Sequence, residues 1–184
     1  MTMIQIAEVY PDFLYTFISQ YGVNEWDAAY DKLTDIEFLE KFFSDNENDL
    51  LYGYYRGRVS NVTDAALLTI RLSRDFFEDI LFCCEQGGGL DCLFKNLDNK
   101  SSYPALLLPS KTKNADKCDW LRVYGIRIDN SLYTITGGTI KLTHRMEDRE
   151  HTQEEYIKLG RYKMFLSGES IFDSDSLLEF VENN

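Results

Sequence analysis

Cationic residues are scarce in this chain: 19 Lys and Arg stand against 31 Asp and Glu, a formal net charge of −12 at pH 7. A uniformly acidic protein repels nucleic acid at a distance, so any role on nucleic acid needs a local reversal of charge. Cysteine is sparse as well, with four residues in 184. Cys83 and Cys84 are adjacent, Cys92 and Cys118 stand alone, and no CxxC pair exists. That spacing lacks the ligand pairs of a structural zinc site. A chain of this length needs no disulfide staple, so free thiols and no metal are expected. No apolar run approaches the roughly 20 residues of a membrane helix. Met1-Thr2-Met3-Ile4 lacks the basic start and apolar stretch of a signal peptide, which predicts a cytoplasmic protein with no membrane partner. The GxSxG, HExxH, Walker A, Rossmann and kinase signatures are all absent, which argues against classical hydrolases, NTPases and dehydrogenases.

Apolar residues make up 44% of the chain and aromatics 14%, enough for one packed core. The charge is unevenly spread. Residues 1–109 carry a net −10, residues 110–166 a net +3, and residues 167–184 a net −5. A locally basic segment binds phosphate when its cations share a face; otherwise it is only a less acidic surface.

The pattern predicts an α+β fold, with a helical N-terminal half packed on a small antiparallel sheet and a helix near the C-terminus. Three stretches make up one compact unit: an acidic helical region at 1–89, a β-rich core with its following helix at 90–166, and an acidic tail at 167–184. Pro11 suits the first turn of a helix running to about Tyr21. Asn24 caps a helix through Lys32. Thr34-Asp35-Ile36-Glu37 has the capping-box pattern, with Ile36, Leu39, Phe42 and Phe43 on one face. Asp49 to Tyr55 continues as helix. The clearest helix spans residues 61–85, and Gly87-Gly88-Gly89 ends it. Leu90 to Leu97 reads as a turn, 105–108 as a brief strand stopped by Pro109, and Ser110 to Asp119 as a polar loop. Trp120 to Ile128 alternates as a half-buried strand. Asp129-Asn130-Ser131 is a hairpin turn, Leu132 to Thr136 the partner strand, and Gly137-Gly138 a bend or bulge before the strand resumes over 139–143. Thr152-Gln153-Glu154-Glu155 reads as a second capping box, and 174–181 as a short acidic helix.

The order of elements over residues 90–166, with the run Gly138-Thr139-Ile140-Lys141-Leu142-Thr143 and the arginines Arg122 and Arg127 on the preceding strand, resembles the core of the RelE/HigB toxin family, in particular its phage-associated HigB-like branch. Lys141 matches the first lysine of that family's run and Leu142 departs from the second. The resemblance implies a toxin of a toxin–antitoxin system that cleaves mRNA at the ribosome without metal or cofactor, with an antitoxin protein as partner. It implies Lys141, Arg122, Arg127 and His144 as the catalytic group, and Arg145, Tyr124, Lys111 and Lys113 as RNA-binding. Such chemistry must activate a ribose 2′-OH, stabilise a pentacovalent phosphate and protonate the leaving oxygen. Cations serve the second need, a histidine near neutrality the first or third, and tyrosine can stack on a base.

Plainer roles stand beside these. Lys141 on an alternating strand can simply face water. Arg122 and Arg127, five apart, lie on opposite faces of an unbroken strand, so only one reaches a shared site unless Gly125 introduces a bulge. His144 and His151 flank a charged loop. Tyr156 and Tyr162 are six apart on a helix, so only one faces a site. Glu25, Asp27 and Asp31 have the look of a carboxylate metal cluster, but a solvated helix face is by far the better account of them. The alternative function is a non-catalytic protein-interaction module of phage or mobile-element origin. It is motivated by Tyr52, Tyr54 and Tyr55 beside Arg56 and Arg58, since Tyr and Arg are enriched at binding hot spots. An acidic nucleic-acid mimic is a third reading.

Overall fold

The chain opens as a β-hairpin. β1 (Gln5–Tyr10) and β2 (Leu14–Ile18) pair antiparallel. This corrects the expected helix from Pro11 to Tyr21. Proline's fixed φ suits a helix start and the second position of a tight turn equally, and the turn prevails here. Asp12 adopts φ +66°, and the Phe13 N–H donates to the Tyr10 carbonyl at 3.4 Å. Leu-Tyr-Thr-Phe then strings together residues that suit a strand buried on both faces, and all four are buried. The computed structural model describes residues 3–97, 108–112 and 120–184, with only the backbone described over 108–112.

Four helices follow: α1 (Glu25–Thr34), α2 (Ile36–Asp45), α3 (Glu47–Tyr52) and α4 (Val62–Glu85). Asn24 caps α1, its side chain accepting from the Trp26 and Asp27 amides. α2 is capped by Asp35 rather than by Thr34, whose hydroxyl instead donates to the Tyr30 carbonyl at 2.8 Å. α4 starts behind Asn61 and stops before Gly87, which takes φ +64°. The carboxyl-terminal part adds β3 (Phe94–Asn96), β4 (Leu108–Thr112), β5 (Leu121–Asp129), β6 (Leu132–Ile140), a 3-10 turn (Met146–Asp148), α5 (Glu150–Gly168) and α6 (Ser174–Asn183). The expected loop from Ser110 thus begins as strand, and Pro109 sits inside β4 opposite Ile126 rather than ending it. The rest of that loop, and residues 105–107 of the expected brief strand, lie outside the described residues.

The strands form one sheet in the order β1-β2-β6-β5-β4-β3. It is mixed rather than antiparallel, because β2 runs parallel to β6. Helices cover both faces. Ala29, Leu33, Leu39, Phe43, Phe77 and Ile80 from α1, α2 and α4 pack on Leu14, Val123, Tyr133, Ile135 and Ile140. Tyr162, Leu166 and Leu177 from α5 and α6 pack on Tyr15, Phe17, Ile126, Ile128 and Leu132 on the other face. Each fully buried Leu, Ile or Phe contributes roughly 1.5–3 kcal/mol.

β6 carries the bulge expected at its glycine pair. Tyr124 opposes Gly137 while Gly125 opposes Ile135, which leaves Thr136 out of register. Gly138 lies close against Ala29 and Leu33 of α1 and the Arg122 carbonyl, so a side chain there would press on all three and force them to shift by a few tenths of an ångström. Below Gly137, Lys158 bonds Glu25 at 2.8 Å and pairs with Glu155 at 3.1 Å, Lys32 reaches Glu155 at 3.2 Å, and the Tyr162 hydroxyl donates to Glu25 at 2.6 Å. Glu155 therefore serves this network instead of a capping box; α5 begins at Glu150, and the Thr152 hydroxyl donates to the Arg149 carbonyl. Of the three α1 carboxylates, Asp27 and Asp31 lie on the exposed face expected for them, whereas Glu25 is buried and turned into this network.

Candidate functional site

β5 places Arg122 and Tyr124 on the face of the sheet covered by α5, two residues apart and so on the same side. Ile140 ends β6, and Lys141 follows on that same side. The chain then turns through His144, Arg145, Met146 and Glu147 into α5, whose first exposed aromatic is Tyr156. These side chains, with Leu97 at the opposite rim, enclose a depression of ≈ 180 Å³.

The turn is tightly pinned. The Lys141 ammonium donates to the His144 carbonyl at 2.7 Å, the Thr143 hydroxyl donates to the Arg145 carbonyl at 3.2 Å, and the Arg145 N–H donates to the Asp148 carboxylate at 2.9 Å. One Arg122 N–H donates to the Leu121 carbonyl at 2.8 Å, which holds the guanidinium along the strand. His144 and Arg145 are exposed, and Lys141 and Arg122 are half-buried. The floor is Tyr124, 1% exposed, whose hydroxyl has no hydrogen-bond partner among the described residues. Burial pushes its phenol well above the ordinary value. Tyr124 therefore stays protonated at neutral pH, and its hydroxyl lies beneath the cavity surface with no acceptor among the described residues.

Five sequence-nominated residues thus come together: Arg122, Tyr124, Lys141, His144 and Arg145. Arg127 does not join them. It points to the opposite face, as the odd spacing along β5 requires, and forms a two-pronged pair with Asp91 at 3.0 and 3.1 Å. Tyr133 adds a hydroxyl donor to the same carboxylate at 2.8 Å. Arg127, as the leading cause, together with Tyr133 keeps the Asp91 carboxyl below the usual range. The group clasps the turn after the glycine run to the sheet. Lys111 lies on β4 with its backbone opposite Tyr124, and Lys113 lies outside the described residues. Of the α5 tyrosines, Tyr156 lines the depression while Tyr162 is buried on Glu25. His151 is remote from the cavity floor: its Nε2 lies 2.9 Å from the Ile140 carbonyl, and its ring meets Phe42 edge-on at 4.9 Å.

Compared with family models, with curated proteins and with solved structures, the chain matches none. The geometry therefore carries the functional argument.

Three groups at the site escaped sequence reasoning. Glu147 brings the only carboxylate among the described residues that line the depression. Tyr54 is 69% exposed, with its ring 6.2 Å from that of His144. Leu97 closes the far rim from outside the strand pair. None has a local signature, because Glu147 and Leu97 reach the cavity, and Tyr54 reaches His144 beside it, from different elements. Among the described residues, no group of His, Cys, Asp and Glu is placed to hold a metal ion, and no helix is long and apolar enough to cross a membrane.

Proposed function

We propose that this chain is a RelE/HigB-like toxin: a metal-independent endoribonuclease that cleaves mRNA at the ribosome and is held in check by an antitoxin protein. The supporting observation is the convergence of Arg122, Lys141, His144 and Arg145 around one depression floored by a buried tyrosine hydroxyl. Three cations above a buried hydroxyl that has no acceptor among the described residues suit a phosphodiester whose charge grows in the transition state. Glu147 accepts the proton of the ribose 2′-OH. The freed oxygen attacks phosphorus, and the bond to the 5′ oxygen breaks. His144 gives its proton to that leaving oxygen, and a 2′,3′-cyclic phosphate results. Tyr54 and Tyr156, on either side, offer rings for the flanking bases.

The test is induced expression in a bacterial host of the wild type beside Lys141→Ala, with growth and mRNA integrity followed. Growth arrest with cleaved mRNA, lost in the variant, is the expected result. In purified protein, His144→Ala lowers the cleavage rate by about 10²–10⁴-fold. Normal growth and intact mRNA with both proteins would overturn the reading. One observation would then favour a protein-interaction module: Tyr52 and Tyr54 are 75% and 69% exposed beside the exposed Arg56 and Arg58, while Tyr55 belongs to the core.

A further inference from the structure

A second cavity, of ≈ 480 Å³, opens on the helical face between α1 and α4. α1 contributes two adjacent rows at one-turn spacing, Trp26 with Tyr30 and Asp27 with Asp31. α4 contributes Phe77, Leu81 and Glu78. The Trp26 and Phe77 rings lie 4.6 Å apart at 59°, and Tyr30 meets Phe77 edge-on at 5.2 Å. The walls are therefore aromatic and the rim is acidic.

Among the described residues none of the three carboxylates forms an ion pair, and Arg74, one turn before Glu78, does not reach it. Asp27 has a local reason to be acidic, since it lies in the first turn of α1. Asp31, near the opposite end of that helix, and Glu78, deep in α4, have none. A metal ion fits poorly, because such ions want several oxygens at once and among the described residues no group of His, Cys, Asp and Glu is placed to hold one. A guanidinium fits both features. It stacks on tryptophan and tyrosine faces, and its forked donors match carboxylates. The apolar strip also continues past the cavity, since Phe82, one turn beyond Glu78, is 59% exposed.

We infer that this groove is a docking site for an arginine-bearing, partly apolar segment of a partner protein, with the guanidinium stacked on the half-buried rings of Trp26 and Tyr30, which Phe77 backs, and neutralised by Asp27, Asp31 and Glu78. The site lies on the face of the sheet opposite the phosphate-directed depression and does not depend on its chemistry.

The test uses the full chain and a fluorescein-labelled peptide of alternating arginine and leucine, read by anisotropy at about 0.15 M salt. Its citrulline counterpart, spermidine as a competitor and three variants accompany it. Asp27→Asn/Asp31→Asn and Trp26→Leu alter the groove. Asp175→Asn/Glu179→Gln removes the same charge from the same spacing on the exposed face of α6. The expected result is saturable binding of the arginine peptide alone. Affinity falls on the order of tenfold or more in both groove variants and is unchanged in the α6 variant. Equal loss in the α6 variant would reduce the effect to net charge and overturn the proposal. Binding of the citrulline peptide as tightly, or displacement by spermidine at matched charge, would overturn it too. A circular-dichroism melt of each variant separates lost binding from lost folding.

Discussion

Individual side chains in this protein act according to what surrounds them rather than what they are. Tyr124 is the clearest case. Its hydroxyl is buried and unpartnered among the described residues, and such a group costs about 1–3 kcal/mol relative to a satisfied one. Tyr124→Phe is therefore expected to leave stability unchanged or raise it by up to about 1–2 kcal/mol, while weakening RNA binding and cleavage. Thermal melts beside cleavage assays check both halves. A variant that melts earlier and cleaves normally would remove the hydroxyl from the site. His151 shows the same dependence on context. Burial, its largest influence, lowers its pKa below 6.5, and the neighbouring charges of Lys32 and Arg149 act in the same direction. The folded state then binds fewer protons than the unfolded state once the pH falls below 6.5. His151 does not affect the pH dependence above that value, and it erodes stability as the pH drops through 6.5 toward the folded pKa. Urea midpoints measured across that window should fall with acid in the wild type and flatten in His151→Phe, with other titrating groups common to both.

Elements were legible where their signals are local. Asn24, Asn61 and the glycine run mark helix ends through hydrogen bonds and backbone freedom that reach only a few residues. The β5–β6 hairpin announced itself through alternation and its turn. The first hairpin did not, because Pro11 and Asp12 form a turn as readily as a helix start, and β2, buried on both faces, has no alternation to read. The joints between elements were invisible as well. Glu25 and Glu155, in helices on opposite faces of the sheet, share Lys158 beside Gly137. Removing that lysine leaves two nearly buried carboxylates with weaker support among the described residues, Glu155 with Lys32 alone and Glu25 with only the Tyr162 hydroxyl. Lys158→Ala should cost about 2–4 kcal/mol, the lower end reflecting the lysine's partial exposure. Chemical denaturation at neutral pH measures this. A loss below about 1 kcal/mol would mean that water already screens the cluster.

On the scale of the whole molecule, a basic depression sits in a chain of net charge −12. Attraction at the site and repulsion at a distance must therefore separate with ionic strength. Equilibrium binding of single-stranded RNA should weaken with salt, with a slope near −2 on logarithmic axes if Arg122, Lys141 and Arg145 each release one counterion, at roughly 0.7 per contact. The association rate should instead rise as salt screens the acidic remainder. Stopped-flow fluorescence over a salt series reads both quantities. A rate that falls with salt would mean that the incoming RNA meets a surface more basic than the net charge describes.

The sequence by itself determined the α+β class, most helices, the β5–β6 hairpin, and the residue types gathered at the depression, because caps, periodicity and turns depend on neighbours within a few positions. It also determined that Arg122 and Arg127 face apart, since strand alternation is local. Only the tertiary structure decided that Arg122, not Arg127, stands beside Lys141 and His144, that Glu147 lines the same depression with Tyr54 near His144 at its edge, and that Trp26 and Phe77 frame an acidic groove. Contacts such as Tyr162 to Glu25, 137 positions apart, have no local signature, because a buried polar pair is fixed by where helices cross a sheet and not by any spacing along the chain.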